Sequence, residues 1–175
     1  MCSSWSFESN TVEGWAFGLG NLEPNPILAT TSVRAAVGSF SIFAPVSTLA
    51  WVQVPVCAGI GANMAGKSFH AQVYLDTHGV AFDNASQSIN QVYVNLTTDP
   101  NIPPFGAKTG VLQAYLDPAP GTALFIANEW NSLDGKIPSD TVTPQAAVIE
   151  IGIQFGSVPA IYTQATLYVD DVKIF

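Results

Sequence analysis

The 175 residues are enough for one domain with a sizeable core, and a 48% hydrophobic, 10% charged composition excludes a disordered or charge-laced helical chain. Five Lys and Arg against 13 Asp and Glu leave a net charge of −8, which excludes nucleic acid as a partner for want of a basic surface to neutralise phosphate. Fourteen Gly and 12 Pro enforce frequent turns, and no window carries Ala, Leu, Glu and Lys at helical period, so the chain reads as all-β.

The opening stretch Ser4–Asn10 is expected as an apolar strand holding one carboxylate, Glu8. After a polar turn, Trp15–Phe17 forms a short second strand, and residues 21–26 a Pro/Asn loop. Residues 27–31 and 32–43 alternate loosely, with a turn at Gly38-Ser39. In the segment 49–56, Val52, Val54 and Val56 face one way and Trp51 and Gln53 the other, with Pro55 marking an edge or a strand end.

A small-residue loop follows from Cys57. The next strand, 67–75, turns Phe69, Ala71, Val73 and Leu75 inward, with His70, Gln72, Tyr74 and Asp76 on the opposite face. Strands are expected at 91–96, 111–117 and 122–126, and residues 128–143 as a long polar loop headed by Trp130. The chain ends in two apolar strands, 147–155 and 165–175. About ten short strands result, in a β-sandwich or jelly roll of two antiparallel sheets over residues 1–175. The closing strand carries the odd pair Asp170-Asp171 in a segment otherwise suited to a core. Carboxylates in apolar strands are costly unless paired or bound to a cation. With the first and last strands adjacent, Glu8 and Asp170 could share one hard cation.

Three strands repeat one phrase: Gln72-Val-Tyr74-Leu-Asp76, Gln91-Val-Tyr93-Val-Asn95 and Gln113-Ala-Tyr115-Leu-Asp117. Period two puts the Gln, Tyr and Asp or Asn of each on one face. In one sheet, with Trp51 and Gln53 as a further strand and Gln154 as another, they would form a field of rings and amides. Such a field either coats a solvated sheet or holds sugars, rings covering C–H faces and amides bracketing hydroxyls. Low charge and many Gln, Asn, Ser and Thr suit a secreted protein meeting an uncharged ligand. No run of about 20 apolar residues spans a membrane. The start at Met1-Cys2 reads as a mature or trimmed chain with an added Met, or as a lipid-modified Cys2. Cys2 and Cys57 are either two unpaired thiols or one disulfide.

With these residues laid out, the chain resembles the β-jelly-roll carbohydrate-binding modules (galactose-binding-like sandwiches) attached to glycoside hydrolases. The likeness rests on Trp5-Ser-Phe-Glu8 with Gly14-Trp15, on the segment 65–75, and on 149–155 through Leu167-Tyr-Val-Asp-Asp-Val-Lys-Ile174. It implies non-catalytic binding of a neutral, plant-cell-wall-like polysaccharide by Trp51, Gln53, Gln72, Tyr74, Gln91, Tyr93, Gln113 and Tyr115. Trp130 would cap the groove from its loop. It further implies a structural Ca²⁺ on Glu8, Asn10 and Asp170, a Cys2–Cys57 disulfide, an extracellular or cell-surface location, and a place within a larger glycan-degrading enzyme. Glycoside hydrolysis needs two flanking carboxyls, and Glu150 is the one acid on a core strand placed to act. Neither His70 nor His78 has metal-ligand spacing, and no phosphate loop or nucleophile elbow occurs. A binding module is therefore expected, with a glycan-free structural domain as the alternative and a small glycan-active enzyme as the minor one.

Overall fold

The computed structural model describes residues 4–17, 28–46, 50–56, 64–77, 89–97, 108–115, 123–139, 147–155 and 165–175. Within β5, β7, β8 and β11, defined below, the side chains described are Val52, Val54, Val94 and residues 149–152.

Among the described residues, twelve strands form two six-stranded sheets. Sheet I runs β10 (Trp130–Lys136), β6 (Ser68–Asp76), β12 (Ala165–Ile174), β4 (Ser41–Val46), β3 (Ala29–Thr31), with β1 (Ser4–Trp5) also on β12. Sheet II runs β2 (Ala16–Phe17), β5 (Ala50–Val56), β11 (Ala147–Phe155), β7 (Ile89–Thr97), β8 (Lys108–Tyr115), β9 (Ala123–Leu124). All pairings are antiparallel except the short parallel pair β8–β9. The expected all-β sandwich is what forms, and its first and last strands are neighbours, Ser4 opposite Lys173 and Trp5 opposite Val172.

The core follows from period two. Phe69, Ala71, Val73 and Leu75 of β6 are buried, as are Ile42 and Ala44 of β4 and Leu167 and Val169 of β12. From sheet II come Val52, Val54, Val94, Ile149 and Ile151. These inner faces join in one apolar cluster, the layer that makes two amphipathic sheets a sandwich. Pro55 sits where β5 has lost its β2 neighbour, which pairs with Gln53 and Val52 alone, so its missing N–H costs no ladder bond on that side.

Three expectations need correcting. The first strand stops at Trp5 instead of running to Asn10. Phe7 and Asn10 both take positive φ, and Asn10 N–H closes a turn on the Phe7 carbonyl at 2.9 Å. This drives the Phe7 ring into the core against Trp15 and leaves Glu8 on an exposed turn instead of in a strand. Residues 130–136, expected as loop, form β10: Leu133 is buried while its polar neighbours face out at the sheet edge. Residues 32–40 form no strand and cross as an irregular loop between β3 and β4.

The closing strand resolves its acid pair with a bulge. Pairing with β6 slips between Asp170 and Lys173, and Asp171 takes φ 45°. The extra residue restores the inward phase, so Val172 and Ile174 are buried and Lys173 is exposed.

Phe69, fully packed in this core, tests the architecture: Phe69→Ala should cost about 3–5 kcal/mol in urea unfolding. A loss below about 1 kcal/mol would show that the two inner faces do not meet there.

Candidate functional site

The three Gln-x-Tyr strands do not share one sheet. β7 and β8 are neighbours in sheet II, whereas β6, with Gln72 and Tyr74, belongs to sheet I. Period two fixes faces but not sheet membership, which is why the sequence could not separate them.

On sheet II, the positions alternating with buried Val52, Val54, Val94, Ile149 and Ile151 line up in rows across the outer face. One row is Trp51, Gly152, Tyr93, Gln113; a second is Gln53, Glu150, Asn95; a third is Gln154, Gln91, Tyr115. Seven of the expected positions, Gln154 included, are therefore brought together by backbone register. Glu150 and Gly152, at the middle of this face, are both buried, Glu150 to 4% exposure, and Glu150 has partners of its own.

On sheet I, register aligns a different row: Trp130, Tyr74, Tyr168, Phe43. Their rings touch in sequence at centroid distances of 5.6, 5.8 and 6.2 Å, the first two edge to face. Arg34, from the loop between β3 and β4, lays its guanidinium over Tyr74 at 4.3 Å and near Tyr168 at 5.7 Å. It also donates from Nη2 to Asp76 Oδ2 at 2.9 Å. Burial pulls its pKa down, but Asp76 and the tyrosines outweigh that and hold it above its ordinary value. Tyr74 is left 5% exposed, so the ring expected as an open sugar platform lies under Arg34. Trp130 is not a loop cap over the Gln/Tyr field; it begins the edge strand of the opposite sheet. Gln72 Nε2 donates to Ser132 Oγ at 2.8 Å on the same face.

The expected calcium ligands do meet one loop, in an unexpected way. Asp170 is fully buried on the outer side of β12. Its Oδ2 accepts N–H bonds from Ala36 and Val37 at 2.8 and 3.0 Å, and its Oδ1 one from Asp171 at 2.7 Å. Burial raises its pKa, while these three donors pull against that shift. Glu8 accepts from Ser39 and Phe40 N–H at 3.0 Å, next to Gly38 at φ 70°, where a Cβ would run into its carboxylate. Asn10 Oδ1 accepts from Thr30 Oγ1 at 2.7 Å. Two carboxylates and an amide oxygen suit a hard cation by type. As arranged they do not fit one, because each faces N–H or O–H donors and no three acidic, His or Cys side chains cluster among the described residues.

His70 stands between two acids, Nδ1 2.7 Å from Asp134 and Nε2 3.7 Å from Asp171, which in turn pairs with Lys173. Opposite ring nitrogens cannot serve one ion, so His70 stands as a hydrogen-bonded structural residue. Cys2 and Cys57 lie outside the described residues. The sequence reading missed Arg34 altogether. A lone Arg in a loop of apolar and small residues was the available signal.

Neither a family model nor a curated protein sequence matches the chain. Solved structures do. A chain from work on the promiscuous specificity of carbohydrate-binding modules of the β-sandwich superfamily matches with a TM-score of 0.63 at 14% identity, over 99% of this chain and 61% of that one. The present chain thus spans less than two thirds of that molecule. The CBM22-1 xylan-binding domain of Paenibacillus barcinonensis Xyn10C matches at 0.58 and 14% identity, over 99% of this chain and 92% of that one. The K1 adhesin domain of Lys-gingipain from Porphyromonas gingivalis matches at 0.60 and 12% identity, over 98% and 96%. The fold is a β-sandwich shared with these structures.

The two carboxylates divide by burial. Asp170→Ala strands N–H groups where water is excluded and should cost on the order of 3 kcal/mol in urea unfolding. Glu8→Ala, on an exposed turn where water can replace the carboxylate, should cost under about 1 kcal/mol. Equal losses would contradict this division.

Proposed function

We propose that the chain is a secreted, non-catalytic module that binds a neutral polysaccharide, of the plant-cell-wall β-glycan kind, across the outer face of sheet II. The observation that carries this is the register. Trp51, Tyr93 and Gln113 fall in one row and Gln91, Tyr115 and Gln154 in the next, although they come from strands far apart in the chain. Rings there would cover sugar C–H faces, and the amides of Gln53, Gln91 and Gln113 would take hydroxyls in pairs. The likeness to a domain described as xylan-binding supports the reading. These rows contain a single acid, Glu150, where hydrolysis would call for two. Gln72, Tyr74 and Trp130, on the other sheet, are left out of this surface. A module of this kind, attached to a larger glycan-degrading enzyme, would bind at micromolar strength or weaker.

The adhesin neighbour favours a second reading, a cell-surface interaction domain with no glycan ligand. A screen of the purified chain against soluble and insoluble glucans, xylans, mannans and pectins, with reducing ends monitored, separates them. Binding without release is expected, and Tyr93→Ala with Tyr115→Ala should weaken it about tenfold or more at unchanged Tm. A blank across the panel would favour the interaction domain, and release abolished by Glu150→Gln would make it an enzyme.

Calcium stays a proposal with a condition: to take the Glu8 and Asp170 oxygens it must displace the N–H groups of residues 36–40. On that proposal chelation lowers the melting temperature and Glu8→Gln removes the response. Melting indifferent to chelator would leave the loop to its N–H bonds alone.

A further inference from the structure

The outer face of sheet I carries chemistry that the sheet II reading does not use. Trp130, Tyr74, Tyr168 and Phe43 form a continuous row of rings, and all but Tyr74 are half-buried, with ring surface left toward solvent. Beside the row lies an ion pair of matched polarity, Arg34 with Asp76, its side chains 32% and 19% exposed. Arg34 Nε is buried and finds no acceptor among the described residues, although a guanidinium in that setting ordinarily has its donors satisfied. A ring, a planar cation and a carboxylate side by side offer what a pyranose asks for: an apolar surface for its C–H face and charged donors and acceptors for vicinal hydroxyls.

We propose that Trp130, Tyr168, Arg34 and Asp76 form a second carbohydrate subsite, on the opposite side of the sandwich from the Trp51–Tyr93 rows, so that one chain engages two glycan strands. Its ligand is a neutral sugar. Asp76 offsets the Arg34 charge, and Asp134, Asp171 and the net charge of −8 disfavour a uronate. The subsite stands independently of the sheet II surface, because it shares no residue with it.

Affinity electrophoresis in gels containing soluble xylan, galactan, hydroxyethyl cellulose or polygalacturonate tests it. The proteins are the parent, Trp130→Ala, the Tyr93→Ala/Tyr115→Ala double variant and the triple variant, with melting temperatures as a control. The double variant should keep residual retardation on a neutral polysaccharide and the triple variant should lose it. If Trp130→Ala melts early, Trp130→Leu, which keeps apolar contact with Tyr74 but removes the flat face, replaces it. A double variant that binds nothing, Trp130 variants retarded like the parent, or retardation by polygalacturonate alone would each overturn the subsite. A parent that binds no polysaccharide would overturn both surfaces. Failure here with the sheet II variants still impaired would leave the first reading intact.

Discussion

A buried carboxylate with no water around it has to be answered by donors, and in this chain the answer is a loop. Asp170 has three backbone N–H groups on it, so the peptide groups of residues 36 and 37 are fixed where they stand. Arg34, two residues upstream, is thereby placed over Tyr74 and Tyr168, and Ser41 Oγ donates to its carbonyl at 2.6 Å as β4 begins. Glu8 secures the far end of the same loop from solvent. The outer face of sheet I therefore takes its shape from one side chain of β12.

That dependence explains why the two faces of the sandwich differ. Sheet II carries its rings and amides on strand positions set by register alone, with long neighbours on both sides of β11. Sheet I carries a row that is partly roofed, its central tyrosine spent on an internal cation–π contact. A repeated phrase can thus serve packing in one copy and remain available for recognition in the others. Which role a copy takes depends on what lies above it, and that is a tertiary matter.

The sequence was most readable where one physical rule acted alone. The inward set of β6 followed from alternation and β11 from an apolar run, and the first and last strands, set side by side so that two embedded acids could meet, do pair. It was least readable where rules competed. In β10, Asn131, Ser132, Asp134 and Gly135 argue for a loop by composition, and only Leu133 and the partner strand β6 argue otherwise. At Phe7, burying an aromatic ring outweighed the cost of positive φ, and a strand became a turn. For the acids, embedding in apolar sequence correctly marked Asp170 as needing a partner, but nothing in the sequence distinguished an N–H donor from a cation. Arg34 was invisible for the same reason: its partners are 40 and more residues away, Asp76 being 42 and Tyr168 farther still.

The bulge at Asp170-Asp171 has a consequence for how this chain tolerates change. Up to Asp170 the closing strand alternates in one phase, and after Asp171 in the other. Replacing either acid alters a local contact and leaves the phase untouched. Losing Asp171 would take out the surplus residue and leave Val172 opposite Ala71 and Lys173 opposite His70, so Val172 and Ile174 would stay inward; one residue more would instead turn Lys173 toward the apolar layer. At this point the strand carries one residue to spare, so a deletion straightens it while an insertion upsets its phase.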